Sequence, residues 1–243
     1  MRPHLHLRLI DYVLWSVTPI LQIGILWAMC ARGLHRKYPW FALYTLVQIF
    51  GDGVLYLLRS SYNAYFWGYW ASILISALIS GAVLYEVART PFRSDVAPPR
   101  RAAFWFVSLL SLMIALIVVW VGVVVWREVN SFHLIARKGY ALASAIFLAE
   151  REVRLAQCGL MLLLLFFARR LGVKYGDLAV GIILGFGMYT IASLLTGVAM
   201  SHTGISHTAM RWVKSLAYVL ACLIWLAYAL TAKVKKEPVP SRL

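Results

Sequence analysis

The stretch ALASAIFLAEREVRLAQCGLMLLLLFFA (141–168) is 28 residues long, and its only charges are the four within EREVR (150–154). About 20 consecutive apolar residues are enough for a helix to cross the roughly 30 Å hydrocarbon core of a bilayer. The stretch therefore predicts a membrane-spanning helix. Its four charges need a separate explanation, because charged side chains are costly in lipid.

The rest of the chain has the same apolar character. Of 243 residues, 62% are hydrophobic and 14% are charged, and the mean hydropathy is +0.77, whereas soluble domains are about 45–50% apolar. We expect an all-α, polytopic membrane protein with one seven-helix domain and a basic cytoplasmic tail at 233–243. The predicted spans, numbered 1 to 7, are 10–31, 40–59, 64–88, 103–126, 141–168, 178–200 and 211–232. Span 1 is too long for a signal peptide and lacks a small-x-small cleavage site, so we expect it to be retained.

The positions of the 24 Lys and Arg predict the orientation, because basic loops stay in the cytoplasm. Fourteen lie in the loops after spans 1, 3 and 5 and in the tail, eight lie at the opposite ends, and two lie in EREVR. We expect the N-terminus outside and the C-terminus inside, in the inner (plasma) membrane, with the basic loops attracted to anionic lipid. The net charge of +15 then follows from topology. We expect no nucleic-acid partner, because the sequence shows no soluble domain with a basic face.

Two segments indicate an internal repeat. ARGLHRKYPWFA (31–42) and ARRLGVKYGDLA (168–179) are identical at six of twelve positions, and GDG (51–53) aligns with GFG (185–187) if a gap is allowed. Part of this likeness is expected of any two inner helix ends, since both are rich in basic and aromatic residues. If the duplication is real, spans 1–3 and 5–7 are parallel repeats joined by span 4, with sites at the repeat interface.

This 3+1+3 plan resembles that of the SWEET-type sugar transporters. The likeness is limited to topology, because those proteins use helix prolines as hinges and here Pro19 is the only proline well inside a predicted span. A second likeness is local: VRLAQCGLMLLLLFFARRLG (153–172), followed by GIILGFGMY (181–189), is similar to helices 5 and 6 of a family of uncharacterised bacterial seven-helix membrane proteins. That family has no established activity, so the likeness implies a fold and no function.

Polar residues recur at similar depths in spans 1, 2 and 5. At 1.5 Å per residue, Asp52 lies about 18 Å and Arg154 about 21 Å from the inner ends of their helices. We hypothesise that these two residues pair, directly or through water. The alternatives are a polar contact that only fixes helix packing, and, for EREVR, a cluster of charges at the membrane interface. The candidate buried polar layer comprises Gln22, Gln48, Asp52, Glu150, Arg154 and Gln157.

Small and aromatic residues offer two further features. The stripes Ser72, Ser76, Ser80 and Thr190, Ser193, Thr196 predict packing faces, though either could line a cavity. The glycines beside Asp52 admit close backbone approach. The segment YNAYFWGYW (62–70) predicts an interfacial aromatic belt. Its alternative role is an outer aromatic cup for an apolar or cationic ligand. The cup would be built by Tyr62, Tyr65, Trp67 and Trp70.

Several kinds of chemistry are not indicated. All six histidines fall outside the predicted spans, so we expect no intramembrane haem or zinc, and Lys214 is too near the start of span 7 for a retinal Schiff base. No nucleophile–base pair, phosphate loop or metal motif is visible. We therefore expect a protein that is not an enzyme and has no cofactor or metal.

Two function classes fit this pattern. The first is a sensory or small-molecule-binding protein, with a ligand from outside, the Asp52/Arg154 layer as a two-state element, and an unknown cytoplasmic protein partner at the basic loops. The second is a small transporter of solute or protons with its site in the same layer. The scarcity of helix prolines favours the first, although glycines at 181, 185 and 187 could still act as hinges in span 6.

Overall fold

A computed structural model describes residues 9–89, 177–202 and 207–232, together with single positions within 101–123 and 154–166. Each regular element in these residues is helical. The six helices with defined bounds are α1 (Leu9–Ala31), α2 (Leu34–Lys37), α3 (Pro39–Leu58), α4 (Tyr62–Arg89), α5 (Leu178–His202) and α6 (His207–Thr231). The predicted all-α class is confirmed for the described part of the chain.

Four described stretches are long and apolar enough to cross a membrane: Pro39–Leu58, Tyr62–Arg89, Leu178–Thr196 and Trp212–Thr231. Their outward side chains are apolar as well; Leu57 is 75% and Leu78 is 68% exposed, which suits lipid better than water. The chain is a multi-pass membrane protein. The count of seven helices stays a prediction, because most of spans 4 and 5 lies outside the described residues.

A short turn joins α1 to α3. Gly33 has φ +67°, a left-handed conformation that glycine adopts at little cost because it has no Cβ. The single-turn helix α2 then buries Leu34, and Tyr38 is fully buried. Pro39 begins α3 at a position where its missing N–H is not needed. The turn is therefore held by apolar contacts and leaves its basic residues near the surface.

The described helices pack in an order that follows the chain. Helix α6 packs against both α5 and α1, α1 packs against α3, and α3 packs against α4, which also contacts α5. Helices α1, α4 and α6 end where α3 and α5 begin, so α1 and α6 run parallel to each other and the other neighbouring long helices run antiparallel. We call this end of the bundle the basic end, since Arg32, Arg36, Lys37 and Arg89 lie there.

Trp225 is the centre of the core. Its side chain is 1% exposed, and its ring lies 5.3 Å from that of Phe41, 6.0 Å from that of Tyr44 and 4.9 Å from that of Phe186. Its Nε1–H donates to the carbonyl oxygen of Ile182 at 3.3 Å. Edge-on and tilted aromatic contacts of this kind add to the energy of burial. Trp225 thus joins α3, α5 and α6.

Two glycines one turn apart let α6 approach α5 closely. A Cβ at Gly185 would lie 2.2 Å from Nε1 of Trp225, and one at Gly181 would lie 2.4 Å from Cγ of Tyr228. Small residues four apart commonly allow membrane helices to approach in this way. The large rings of α6 therefore occupy space that any side chain on these α5 positions would need.

The glycines beside Asp52 do not have that role. Among the described residues, a Cβ at Gly51 would meet the Ser72 Cβ only at 4.0 Å, and one at Gly53 would meet nothing within 4 Å. The close backbone approach that these glycines admit is therefore not seen in the described part of the chain. The aligned GDG and GFG segments also have different environments, because Gly185 lies against Trp225. The internal repeat stays a prediction, since most of 168–179 lies outside the described residues.

Charged side chains join the helices at the basic end. The buried Glu86 carboxylate on α4 accepts hydrogen bonds from the backbone N–H groups of Trp40 at 3.3 Å and Phe41 at 3.2 Å, in the first turn of α3. Arg32, just after α1, donates to the carbonyl oxygen of Ala232 at 3.0 Å, just after α6. An acid at a helix N-terminus and a base at a helix C-terminus both complement the helix dipole. Sequence analysis did not identify Glu86, because the cap comes from a different helix.

Candidate functional site

Gln22 and Tyr218 form the central contact of the candidate site. Gln22, on α1, is 1% exposed, and its Nε2 donates to the hydroxyl of Tyr218, on α6, at 2.9 Å. The other polar atom of the same amide, Oε1, is buried and has no hydrogen-bond partner among the residues that the structure describes. Buried polar atoms are nearly always paired, so an unpaired one requires an explanation.

Tyr44 extends this contact to α3. Its side chain is 4% exposed. Its hydroxyl interacts with the hydroxyl of Tyr218 and with the side chain of Gln48. Gln48 in turn donates through Nε2 to Oγ of Ser76, on α4, at 3.0 Å. The contacts therefore run without interruption from α1 through α6 and α3 to α4.

The serine stripe of α4 contacts two of the predicted glutamines. Besides Ser76, Ser80 accepts a hydrogen bond of 2.5 Å from Nε2 of Gln157, and this bond is buried. The stripe was predicted as a packing face. Two of its hydroxyl groups accept hydrogen bonds from glutamine amides of other segments, Ser76 from Gln48 and Ser80 from Gln157. Helix α4 thus connects Gln48, on α3, with Gln157, in the 154–166 segment.

Arg154 lies against a tyrosine of α5. Its guanidinium is 4.9 Å from the centre of the Tyr189 ring and its NH2 group donates to the Tyr189 hydroxyl at 3.5 Å. The Tyr189 ring lies 5.1 Å from that of Tyr218, edge-on. Arg154 therefore joins the same layer through aromatic rings, as a cation on a π face.

The described residues show no direct ion pair between Asp52 and Arg154, and the hypothesis that they pair through water stays a prediction. The two residues lie at similar depths along their helices, but they face different neighbours. Arg154 contacts Tyr189 on α5, whereas Asp52, on α3, interacts electrostatically with Cys222 on α6. Asp52 is half-buried. Glu150, the remaining member of the predicted layer, lies outside the described residues.

The layer lies near the middle of the helices. At 1.5 Å per residue, Gln22 is about 14 Å, Tyr189 about 17 Å, and Tyr218 and Asp52 about 20 Å from the basic-end terminus of their helices. Membrane tyrosines are typical of the interface, so a tyrosine at mid-depth is itself a signal. Sequence analysis could have found Tyr189 and Tyr218 by applying the depth count to them.

The second stripe of small polar residues is also buried. Thr190, Ser193 and Thr196, on α5, are exposed by 0%, 5% and 3%. The Thr196 hydroxyl donates to the carbonyl oxygen of Ser193, whereas the Thr190 hydroxyl has no hydrogen-bond partner. Thr190 follows Tyr189 directly, so a second unpaired buried oxygen lies next to a residue of the layer.

The predicted aromatic cup is built on one helix. Tyr62 is 73% exposed and stacks on Phe66 at 6.4 Å, while Tyr65 stacks on Tyr69 at 6.4 Å. Among the described residues, the ring partners of Tyr62 and Tyr65 are thus residues four positions further along the same helix. Helix α3 contacts this region through Leu58, which faces Gly68. Rings along one exposed helix are typical of an interfacial belt, and a cup would need rings from a second helix.

The described residues offer no group of three His, Cys, Asp or Glu side chains that could hold a metal ion. The chain was also compared with known proteins. It matches no family model, no curated protein and no solved structure. The resemblances noted from the sequence therefore stay predictions.

Proposed function

We propose that this multi-pass protein binds a small polar molecule in its buried polar layer and acts as a sensor without enzymatic activity. The observation that carries the proposal is the buried Gln22 Oε1, which has no hydrogen-bond donor among the described residues, although Nε2 of the same amide bonds to Tyr218. Leaving such an atom unpaired costs about 1–3 kcal/mol. A bound molecule that donates to it would recover this energy.

The connections of the layer favour a sensory role. Contacts between side chains run from Gln22 through Tyr218, Tyr44 and Gln48 to Ser76, so a ligand at Gln22 would act on four helices at once. Binding can shift a conformational equilibrium only if the ligand interacts differently with two arrangements. Here the two arrangements would differ in whether Gln22 Oε1 is positioned to accept a hydrogen bond from the ligand.

The output of such a sensor would lie at the basic end. Arg36, Lys37 and Arg89 are exposed there. From the loop charges we expect this end in the cytoplasm, with the N-terminus outside the inner (plasma) membrane. Anionic lipid headgroups and a cytoplasmic protein partner would both find a basic surface at this end.

A transporter is the second candidate, and Asp52 favours it. Asp52 is a half-buried acid near the middle of α3. Acids in such positions mark proton and ion pathways in many membrane proteins. The same layer would then take up a solute or a proton and release it on the other side.

Thermal unfolding of the purified protein with a panel of small polar molecules tests the sensor. We expect at least one compound to raise Tm in wild type and to lose its effect in Gln22→Met, which keeps the length of the side chain. Asn63→Leu removes an amide from an exposed position and should leave the shift unchanged. If no compound acts, or if Gln22→Met responds as wild type does, binding at this layer is refuted. Uptake of the same compound into proteoliposomes, lost in Asp52→Asn, would instead favour the transporter.

A further inference from the structure

We propose that the basic end of the bundle binds the headgroup of an anionic phospholipid through Lys37 and Arg89. The proposal does not depend on a ligand in the buried polar layer. It follows from the contact between α3 and α4, which brings two cations from different helices to one place, and from the apolar surface that continues inward from them.

The end of α4 is fixed to the start of α3 by the buried Glu86. Its Oε1 accepts a hydrogen bond of 3.3 Å from the backbone N–H of Trp40. Lys37 closes α2 three residues before Trp40, and Arg89 closes α4 three residues after Glu86. Both cations therefore lie on the basic-end side of this contact. Three helical residues rise about 4.5 Å, so both long side chains can reach a phosphate group placed over the contact.

The two cations contact neutral rings. Nζ of Lys37 lies 5.3 Å from the centre of the Tyr38 ring, and the guanidinium of Arg89 lies 5.4 Å from the centre of the Tyr85 ring. The acid at this place, Glu86, accepts hydrogen bonds from backbone N–H groups through both of its oxygens. Contacts between exposed cations and rings are weak, so a phosphate group would offer Lys37 and Arg89 a stronger, oppositely charged partner.

An aromatic and then an apolar surface follows the cations along both helices. Trp40 is 45% and Tyr85 is 57% exposed, and Leu43 on α3 and Leu78 on α4 are exposed further from the basic end. Exposed Trp and Tyr near the ends of membrane helices are typical of the headgroup level. A phospholipid presents an anionic head and then apolar chains in this same order, whereas an acidic protein would use only the cations. The surface therefore fits a lipid better than a protein.

Native mass spectrometry of the full chain in detergent tests the proposal. The probes are dioleoyl phosphatidylglycerol, dioleoyl phosphatidylcholine, glycerol phosphate and an oligoglutamate peptide, each added in a titration. We expect phosphatidylglycerol to bind most tightly. Lys37→Gln and Arg89→Gln should each weaken its Kd by about five-fold, the contribution of one basic residue near a membrane surface. The double variant should weaken Kd by less than the product of the two effects, because both cations contact one headgroup.

A matched control lies at the other end of α3. Arg59 is exposed and its guanidinium is 4.0 Å from the centre of the Tyr56 ring, so Arg59→Gln removes a similar cation and should leave Kd unchanged. An equal loss in Arg59→Gln, or a double variant equal to the product of the single effects, would show general attraction by charge and overturn the proposal.

The other probes decide the kind of partner. Equal binding of phosphatidylcholine would overturn the proposal, because that lipid has the same chains and phosphate but no net charge. Tighter binding of glycerol phosphate would assign the surface to a free phosphate, and tighter binding of the peptide would assign it to a protein; either result overturns the lipid site. All of these outcomes leave the binding function of the polar layer unaffected.

Discussion

The carboxylate of Glu86, on α4, accepts a hydrogen bond of 3.2 Å from the backbone N–H of Phe41, in the first turn of α3. The residue before this helix, Tyr38, provides no side-chain cap, so the cap of α3 comes from a helix that follows it in the chain. The contact fixes the beginning of one membrane helix to the end of the next.

Removing this cap should destabilise the protein. We expect Glu86→Ala to lower the free energy of unfolding by about 1.5–3 kcal/mol, because hydrogen bonds to a charged acceptor are lost and two backbone N–H groups near the buried end of α3 lose a partner. Glu86→Gln keeps one acceptor oxygen and should cost less. Unfolding in detergent followed by circular dichroism measures both. Arg89→Gln, at an exposed position one turn on, should change stability by no more than about 0.5 kcal/mol.

A methyl group should be tolerated at one glycine and not at another. Gly185→Ala places a Cβ 2.2 Å from Trp225 Nε1, which forces α5 and α6 apart at a cost of about 1–3 kcal/mol. The Cβ of Gly53→Ala meets nothing within 4 Å among the described residues, and the change should stabilise its helix by up to about 1 kcal/mol. Tryptophan fluorescence and thermal unfolding of the two variants report the difference. Equal stability of both variants would contradict the close α5–α6 packing.

The serine stripe provides a second matched pair. Ser80→Ala leaves the buried Nε2 of Gln157 without its acceptor, and we expect a loss of about 1–3 kcal/mol. The half-buried Ser72 donates to a carbonyl oxygen of its own helix, that of Tyr69, so Ser72→Ala should be near neutral. Denaturant titration of both variants gives the comparison. A neutral Ser80→Ala would show that the Gln157 bond contributes nothing to stability.

Gln22 and Tyr218 should be energetically coupled. In a double-mutant cycle with Gln22→Met and Tyr218→Phe, we expect a coupling energy of about 0.5–1.5 kcal/mol, the net value of one hydrogen bond. Thr231→Val, at an exposed position near the basic end, should combine additively with Gln22→Met. A coupling energy of zero between Gln22 and Tyr218 would argue against their hydrogen bond in the membrane.

The depth of a polar residue along its helix could be predicted from the sequence, and its partner could not. Gln22, Gln48 and Gln157 were placed in one layer by counting residues, and each forms a hydrogen bond between helices. Arg154 was assigned to Asp52 by the same count, yet it contacts Tyr189. Spacing along one helix does not define which neighbour a side chain faces, because that depends on the order and rotation of all the helices.

Helix type and approximate position could also be predicted, since long apolar stretches determine both. The roles of single small or charged residues could not. Glycine at 51 or 53 and glycine at 181 or 185 look alike in the sequence, but only the second pair faces large rings on α6. Glu86 has no cap motif beside it, because its partners at 40 and 41 lie 45 residues or more away.

The packing of α6 against α1 has a consequence for biogenesis. Gln22 and Tyr218 are 196 residues apart, and Arg32 is 200 residues from the carbonyl group it binds at Ala232. During synthesis, α1 enters the membrane long before either partner has been translated, and contacts of such high sequence separation form late. Until α6 is inserted, the buried amide of Gln22 must be solvated by other means, so the nascent chain is most vulnerable to misassembly and proteolysis in this interval.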